Sequence, residues 1–266
     1  GPGSANPISG QLAAIKTYGN CIDRMIVKAP LAIKMALGEN PKSVYHDKSQ
    51  TPVSRMATAA LIREQLHKAK HYLEDKKHAL EDEDSTPPEY DLKCEALIPA
   101  LEKEIQVHFH AHRADDIFTA VRLAKEFDLD YVIVHGTEGH LIADELKDEH
   151  VRVLSGPFLS DRSKPELKNL TPSCPGILMQ TAIITDHPVI PLQYLTLAAG
   201  LAVREGADYD TALKAITIEP ARICGIEKQV GSIEKGKDAD LVVFEQDPLL
   251  LSAKPTMVFV NGIRRV

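Results

Sequence analysis

Short apolar runs alternate with amphipathic segments through the middle of the chain. The predicted strands are residues 105–110, 131–136, 151–156 and 182–187. The predicted helices are residues 114–128, 141–150, 192–205 and 211–218. They either repeat apolar side chains at helical spacing or come just before a predicted strand. Strands that alternate with helices in this way are joined by crossover connections in a parallel sheet, so the pattern predicts an α/β fold. The strand interiors are almost continuously apolar, as expected when both faces of a sheet are covered.

The two ends of the chain follow other patterns. Residues 24–37 contain two apolar runs around Ala29-Pro30, which predicts a strand, a turn and a second strand, closed by a turn at residues 38–41. A long helix is predicted from Ser54 to about Glu83. After Ala221, short strands separated by turns rich in Gly, Asp and Pro predict a small β structure.

Composition narrows the possible functions. The chain has 266 residues, which suits about two domains or a single α/β barrel of about 250 residues. A nucleic-acid partner is not supported, because the chain has a net charge of −7, no Trp and no run of basic residues. It has no apolar stretch of the roughly 18 residues that a membrane span needs. The four cysteines are isolated, which indicates reduced thiols and a cytoplasmic location.

Polar side chains follow the predicted strands at the point where each strand ends. His110 and His112 end the first, His135 and Glu138 the second, and Asp186 the fourth. Catalytic groups lie at the carboxyl ends of barrel strands, so we expect these side chains at one mouth. Imidazoles and a carboxylate suit Zn²⁺ or another divalent ion, which lowers the pKa of bound water to about 7. Position alone leaves open that these are ordinary, hydrogen-bonded polar residues.

Four segments resemble the metal-dependent amidohydrolase superfamily, and most closely its imidazolonepropionase-like and prolidase-like branch. These segments are residues 105–117, 132–140, 183–189 and 216–249. The last is the most specific, with Gly231-Ser232-Ile233, Gly236-Lys237 and Asp238-Ala239-Asp240-Leu241-Val242 in the order typical of that family.

The resemblance implies roles for individual residues. His110, His135 and Asp186 match metal ligands of the family, and Asp186 also matches its acid–base residue. Some members add a bridging carboxylate or a carboxylated Lys, for which Glu39 is the first candidate and Lys34 the second. The implied cofactor is a divalent metal, Zn in the first instance, as one or two ions. The residues implied at the substrate are His112, Glu138, His187 and Arg113, with His140 a further candidate beside them.

The fold implied is a (β/α)8 TIM-type barrel, incomplete at its N-terminal side, followed by the C-terminal strands of a small β-sandwich domain. Residues 1–220 would be the barrel portion and residues 221–266 the sandwich segment. The family's early His-x-His pair is absent, and the first histidine is His46, so we expect about a third of the usual protein to be missing. An incomplete barrel exposes strand edges, which predicts a homo-oligomer or a missing N-terminal segment as partner.

The activity implied is hydrolysis of a C–N bond by metal-activated water, in a small amide, a cyclic amide or a dipeptide-like substrate. Two alternatives stay open from the sequence. One is a non-catalytic, amidohydrolase-like fragment or subunit that needs a partner. The other is a deaminase of the same superfamily, which uses similar ligands.

Overall fold

The computed structural model describes residues 1–82, 84–178 and 180–266, and within them the chain divides into two compact units. The first unit comprises residues 1–12, 30–111 and 115–131. The second comprises residues 13–29, 112–114 and 132–266. Glu83, where the long helix was expected to end, and Met179, in the loop after the third predicted strand, lie outside the described residues.

Nine strands and ten α-helices make up the described part of the chain. The strands are β1 (Ile8–Ile15), β2 (Ile26–Ala36), β3 (Gln106–Ala111), β4 (Tyr131–His135), β5 (Val153–Ser155), β6 (Thr181–Ile183), β7 (Leu241–Phe244), β8 (Pro255–Val260) and β9 (Ile263–Arg264). The helices are α1 (Ile22–Met25), α2 (Glu39–Asp47), α3 (Arg55–Glu81), α4 (Leu92–Leu101), α5 (Ala114–Glu126), α6 (Ala143–Asp148), α7 (Cys174–Ile177), α8 (Leu195–Arg204), α9 (Tyr209–Lys214) and α10 (Ile218–Ile223). Short 3₁₀ helices occur at Gly139–Ile142, Pro165–Leu167 and Leu192–Tyr194.

The strands form two sheets. Strands β1 to β6 occur in one sheet in the order of the sequence, and β7 to β9 form a separate sheet. Strand β2 is parallel to β3, and β5 is parallel to both β4 and β6. The three-stranded sheet is antiparallel. The predicted α/β fold with parallel strands is therefore confirmed, while the domain boundary at residue 220 stays a prediction.

Strand β3 shows why the parallel strands read as apolar runs. On one face Val107, Phe109 and Ala111 are fully buried. On the other face His108 and His110 are buried as well. Buried polar side chains need hydrogen-bond partners, so a strand that is covered on both faces is apolar along most of its length. Its polar residues are found near its end.

The predicted turn at Ala29-Pro30 is wrong, because β2 continues through it as one strand of 11 residues. Pro30 lacks a backbone N–H and would interrupt a paired ladder. The register with β3 begins only at Ala32, so Pro30 precedes the paired part of the strand. The predicted turn at residues 38–41 is also wrong. Helix α2 begins at Glu39, with Pro41 in its first turn, where a missing N–H is tolerated.

Several element bounds differ from those predicted. The strand predicted at 182–187 ends at Ile183, and the helix predicted at 211–218 is divided between α9 and α10. Helix α3 follows the sequence closely, because Ser54 caps it by accepting a hydrogen bond from the Ala57 N–H. None of the helices described is long and apolar enough to span a membrane.

Candidate metal centre

Three buried histidines lie at the ends of two strands. His110 is on β3, His112 follows that strand directly, and His135 is the last residue of β4. His135 has a φ of 78°, in the left-handed region that residues other than glycine rarely adopt. Such strain persists where the surrounding structure fixes it, and it is common at functional sites.

The imidazole of His135 is held by a main-chain carbonyl. Its Nδ1 lies 2.7 Å from the carbonyl oxygen of Gly156. A carbonyl can only accept, so Nδ1 carries the proton and donates it. In the neutral form of this ring the lone pair is on Nε2, and a hydrogen bond from the second nitrogen is how a metal-binding histidine is oriented.

The imidazole of His112 is also fixed on several sides. The ring Nδ1 lies 2.7 Å from the Thr137 hydroxyl oxygen. The main-chain carbonyl of His112 accepts a hydrogen bond from the Glu138 N–H. Its ring stacks on that of His135, with centroids 4.5 Å apart and planes 15° from parallel. The two rings therefore form one rigid pair within the second unit.

The histidines meet the basic requirement for a metal centre. One nitrogen from each of His110, His112 and His135 lies within 4.8 Å of the others. Three buried imidazoles suit Zn²⁺ and related divalent ions, and the bond from His135 Nδ1 to Gly156 supplies the supporting contact that such ligands need. The donor set therefore fits the metal that the sequence resemblance implies.

A buried carboxylate lies beside this pair of rings. Glu166, on the 3₁₀ helix Pro165–Leu167, places Oε1 3.8 Å from Nε2 of His112. The distance is longer than a hydrogen bond and within the range of an ion pair. Nothing in the sequence distinguishes this residue from the other charged residues of its loop.

Glu138, a predicted substrate residue, binds the protein itself with both carboxylate oxygens. Oε2 accepts a hydrogen bond from the Ala114 N–H at 2.9 Å, and Oε1 accepts one from Asn169 Nδ2 at 2.8 Å. Ala114 begins α5, where a negative charge is favourable. The side chain thus ties the segment after β3 to the loop after β5.

Glu39 and Lys34, the candidates for a bridging ligand, have different surroundings within the first unit. Glu39 begins α2 and forms ion pairs with Lys42 at 2.8 Å and Arg55 at 3.2 Å. These cations, Lys42 first, lower the pKa of the Glu39 carboxyl. Lys34 is buried on β2 in register with His108, with Ala36 opposite His110. Its side chain is therefore on the same face of the strands as His108 and His110.

The other predicted site residues lie in less enclosed positions. Asp186 and His187 are exposed in the turn that follows β6, and Arg113 is half-buried between β3 and α5. His140 Nδ1 donates a hydrogen bond to the Thr137 carbonyl at 3.1 Å. Within the described part of the chain, none of these four residues belongs to the group formed by His110, His112 and His135.

Some contacts of this centre have no counterpart in the sequence reasoning. Thr137, Gly156 and Asn40 each hold a histidine, with Asn40 Nδ2 3.3 Å from His110 Nε2. For Gly156 a signal exists, since it is the last residue of the strand predicted at residues 151–156. A Cβ there would lie 2.1 Å from the Ile184 carbonyl oxygen, at a φ of 132°.

Comparisons with known proteins find amidohydrolases among the relatives of this chain. A solved structure of an amidohydrolase from Thermotoga maritima MSB8 is 44% identical with a TM-score of 0.95, covering 99% of this chain and 70% of that one. Amidohydrolase tasK of Hapsidospora irregularis is 29% identical over 98% of this chain and 29% of its own length. Imidazolonepropionase of Picrophilus torridus is 34% identical over 33% of this chain and 24% of its own. The chain thus spans less than a third of these two curated relatives.

The model of the amidohydrolase family matches residues 81–265, which is more than half of the chain. That match includes the three histidines, the loop that carries Glu166 and the three-stranded sheet. The resemblance noted in the sequence is confirmed: the chain belongs to the amidohydrolase family.

Proposed function

We propose that this chain provides the metal centre for hydrolysis of a C–N bond in a small amide, a cyclic amide or a dipeptide-like compound. The observation that carries the proposal is the group of buried histidines, His110, His112 and His135, in a member of the amidohydrolase family. The chemical reason for proposing a metal centre is that a hydrophobic core does not need three imidazoles close together in order to pack.

The proposed cofactor is a divalent cation, with zinc the first choice for imidazole ligands. When bound, such a cation polarises the carbonyl of the scissile bond and activates water. His110 and His135 would hold it, with His112 beside them. Of the two bridging candidates we favour Lys34, which would act in its carboxylated form and is buried on the same face as His110. The Glu39 carboxylate, by contrast, forms ion pairs with Lys42 and Arg55.

The proton would be moved by Asp186. Its carboxylate lies in the turn after β6 and is exposed to solvent. We propose that it accepts a proton from the attacking water and returns it to the leaving nitrogen, and that it also ligates the metal. His187 and Arg113 are the proposed substrate contacts. Glu138 would contribute indirectly, because its carboxylate binds the Ala114 N–H and Asn169 and so fixes the segments that carry them.

The proposal is tested by turnover on defined substrates. The protein is freed of metal with a chelator, reloaded with Zn²⁺, and incubated with N-acyl amino acids, cyclic amides and dipeptides, while NMR follows new carboxylate and amine. We expect product only after reloading, and at least about a hundredfold less with Asp186→Asn. Release of ammonia without a new carboxylate would instead indicate a deaminase. Full metal loading with no turnover on any of the three classes would favour a non-catalytic subunit.

A further inference from the structure

Two histidines of the long helix α3 lie outside the group of buried histidines. His67 and His71 are four residues apart, so both side chains project from the same face of the helix. Their rings stack side by side, with centroids 6.5 Å apart and planes 23° from parallel. Both side chains are more than half exposed, so a solvated ion can reach them. Two histidines at this spacing on one helix face are a known arrangement of zinc ligands.

A carboxylate from helix α5 lies next to this pair. Glu126, the last residue of α5, places Oε1 3.4 Å from Nε2 of His67. This distance is longer than a normal N–H···O hydrogen bond of about 2.7–3.2 Å. Two ligand atoms on a tetrahedral Zn²⁺ lie about 3.3–3.6 Å apart when each is about 2.0–2.2 Å from the ion. The nitrogen and the oxygen are therefore spaced as two ligands of one ion are.

Other side chains hold the His67 ring and the Glu126 carboxylate in place. The His67 ring meets the buried Phe127 ring edge to face, with centroids 4.8 Å apart. Arg63, one turn before His67, donates from Nε to both oxygens of Glu126, at 3.0 and 2.8 Å. The Arg63 charge also repels a cation at this carboxylate, so an ion here would bind less tightly than at the buried histidines.

His71 is placed to supply a third ligand. Its Nδ1 lies 3.3 Å from Oε2 of Glu74, one turn further along the same helix. The two side chains are 76% and 55% exposed, and exposed pairs of this kind add little stability. His71 can therefore turn its ring toward an ion beside His67 at little cost in free energy.

We infer that His67, His71 and Glu126 form a second divalent-cation site, which takes an ion that prefers imidazole ligands, such as Zn²⁺. The ion would link α3 to α5 within the first unit, in place of the long contact between His67 and Glu126. Because the ligands are exposed and Arg63 stays close, the ion exchanges with solvent and is removed by desalting. The inference goes beyond the proposed function, since it uses none of the residues of the buried centre.

The test is a Zn²⁺ titration of the whole chain, which is first loaded with Zn²⁺ and desalted so that any tight site is already filled. Further binding is measured by competition with a chromophoric chelator. We expect one additional, weaker ion per chain, with at least about tenfold lower affinity in His67→Gln, in His71→Gln and in Glu126→Gln. His78→Gln is the matched control, because His78 is another exposed histidine of α3, and this variant should bind as the parent does.

These variants distinguish a specific site from a general attraction of zinc to surface histidines. No additional ion in the parent chain, or unchanged affinity in any of the three ligand variants, would overturn the inference. An equal loss in His78→Gln would also overturn it, in favour of an adventitious ion only. A chain that binds one ion through His67 and Glu126 but takes none at the buried histidines would support this inference and contradict the proposed function.

Discussion

At the scale of single residues, the sequence identifies the histidines but not what holds them. His110 and His135 stand out because each interrupts an apolar strand at its end. The Thr137 hydroxyl holds His112, and the main-chain carbonyl of Gly156 holds His135, and no periodic pattern in the sequence encodes these contacts. Glu166 is further from recognition, since its contact depends on how a long loop folds back.

Gly156 provides a sharp residue-scale prediction. A Cβ at this position would overlap the Ile184 carbonyl oxygen, and φ is 132°. We expect Gly156→Ala to lower the free energy of unfolding by roughly 3–5 kcal/mol, from backbone strain together with steric overlap. Urea unfolding followed by circular dichroism measures this.

Gly206→Ala is the matched control. Gly206 also has a positive φ, of 103°, but a Cβ there meets nothing within 4 Å. Its substitution should cost only the backbone strain, about 1–2 kcal/mol. Equal losses for the two variants would show that the overlap at Gly156 is relieved by a small shift, contrary to our account.

Lys34 and Glu39 can be told apart by metal affinity. Lys34 is buried on the face of β2 that it shares with His110, while Glu39 forms ion pairs with Lys42 and Arg55. We expect Lys34→Met to weaken Zn²⁺ binding by at least about tenfold and Glu39→Gln to leave it nearly unchanged. The reverse result, measured by the same chelator competition, would restore Glu39 as the bridging residue.

At the scale of elements, periodicity works where a segment is long and fails where proline or tight turns decide. Helix α3 was predictable because its buried positions recur at helical spacing from Thr58 to Tyr72 behind a Ser cap. Strand β2 was misread because Pro30 resembles a turn signal, although its position before the β3 register makes it harmless. The start of α2 was missed for the same reason, at Pro41.

The N-terminus of α4 should give that region a characteristic pH dependence. Lys68, which lies 2.6 Å away, and then the backbone N–H groups of Cys94 and Lys93 lower the pKa of Asp91 to about 2. A carboxyl whose folded pKa lies below its unfolded value of about 3.9 stabilises the fold above that value and loses this effect as the pH falls toward 2. Stability should therefore decline over that window.

Asp91→Asn isolates this charge, because Asn can still cap the helix. The parent chain should be more resistant to urea than the variant at pH 7, and the difference should shrink steadily between about pH 4 and pH 2. Asp75→Asn, at an exposed position on α3, should show no such trend. A difference that stays constant down to pH 2 would contradict the assignment.

At the scale of the whole molecule, the alternation of strands and helices was sufficient to predict an α/β fold with parallel strands. The family followed from short motifs near strand ends and in the C-terminal segment, and the match over residues 81–265 confirms it. The substrate did not follow, because the loops that would select it carry no regular pattern. The structure adds the packing of the rings and the loop that brings Glu166 to them.

The central claim is that His135 belongs to a functional metal centre, and metal content tests it most directly. Three proteins are compared: the purified chain, its His135→Ala variant and its His140→Ala variant. Each is saturated with Zn²⁺ and desalted, and its zinc content is measured by inductively coupled plasma mass spectrometry. We predict one or two zinc ions per chain for the parent and for His140→Ala, and a loss of at least one ion for His135→Ala. Equal zinc in all three proteins, or none in the parent, would contradict the account.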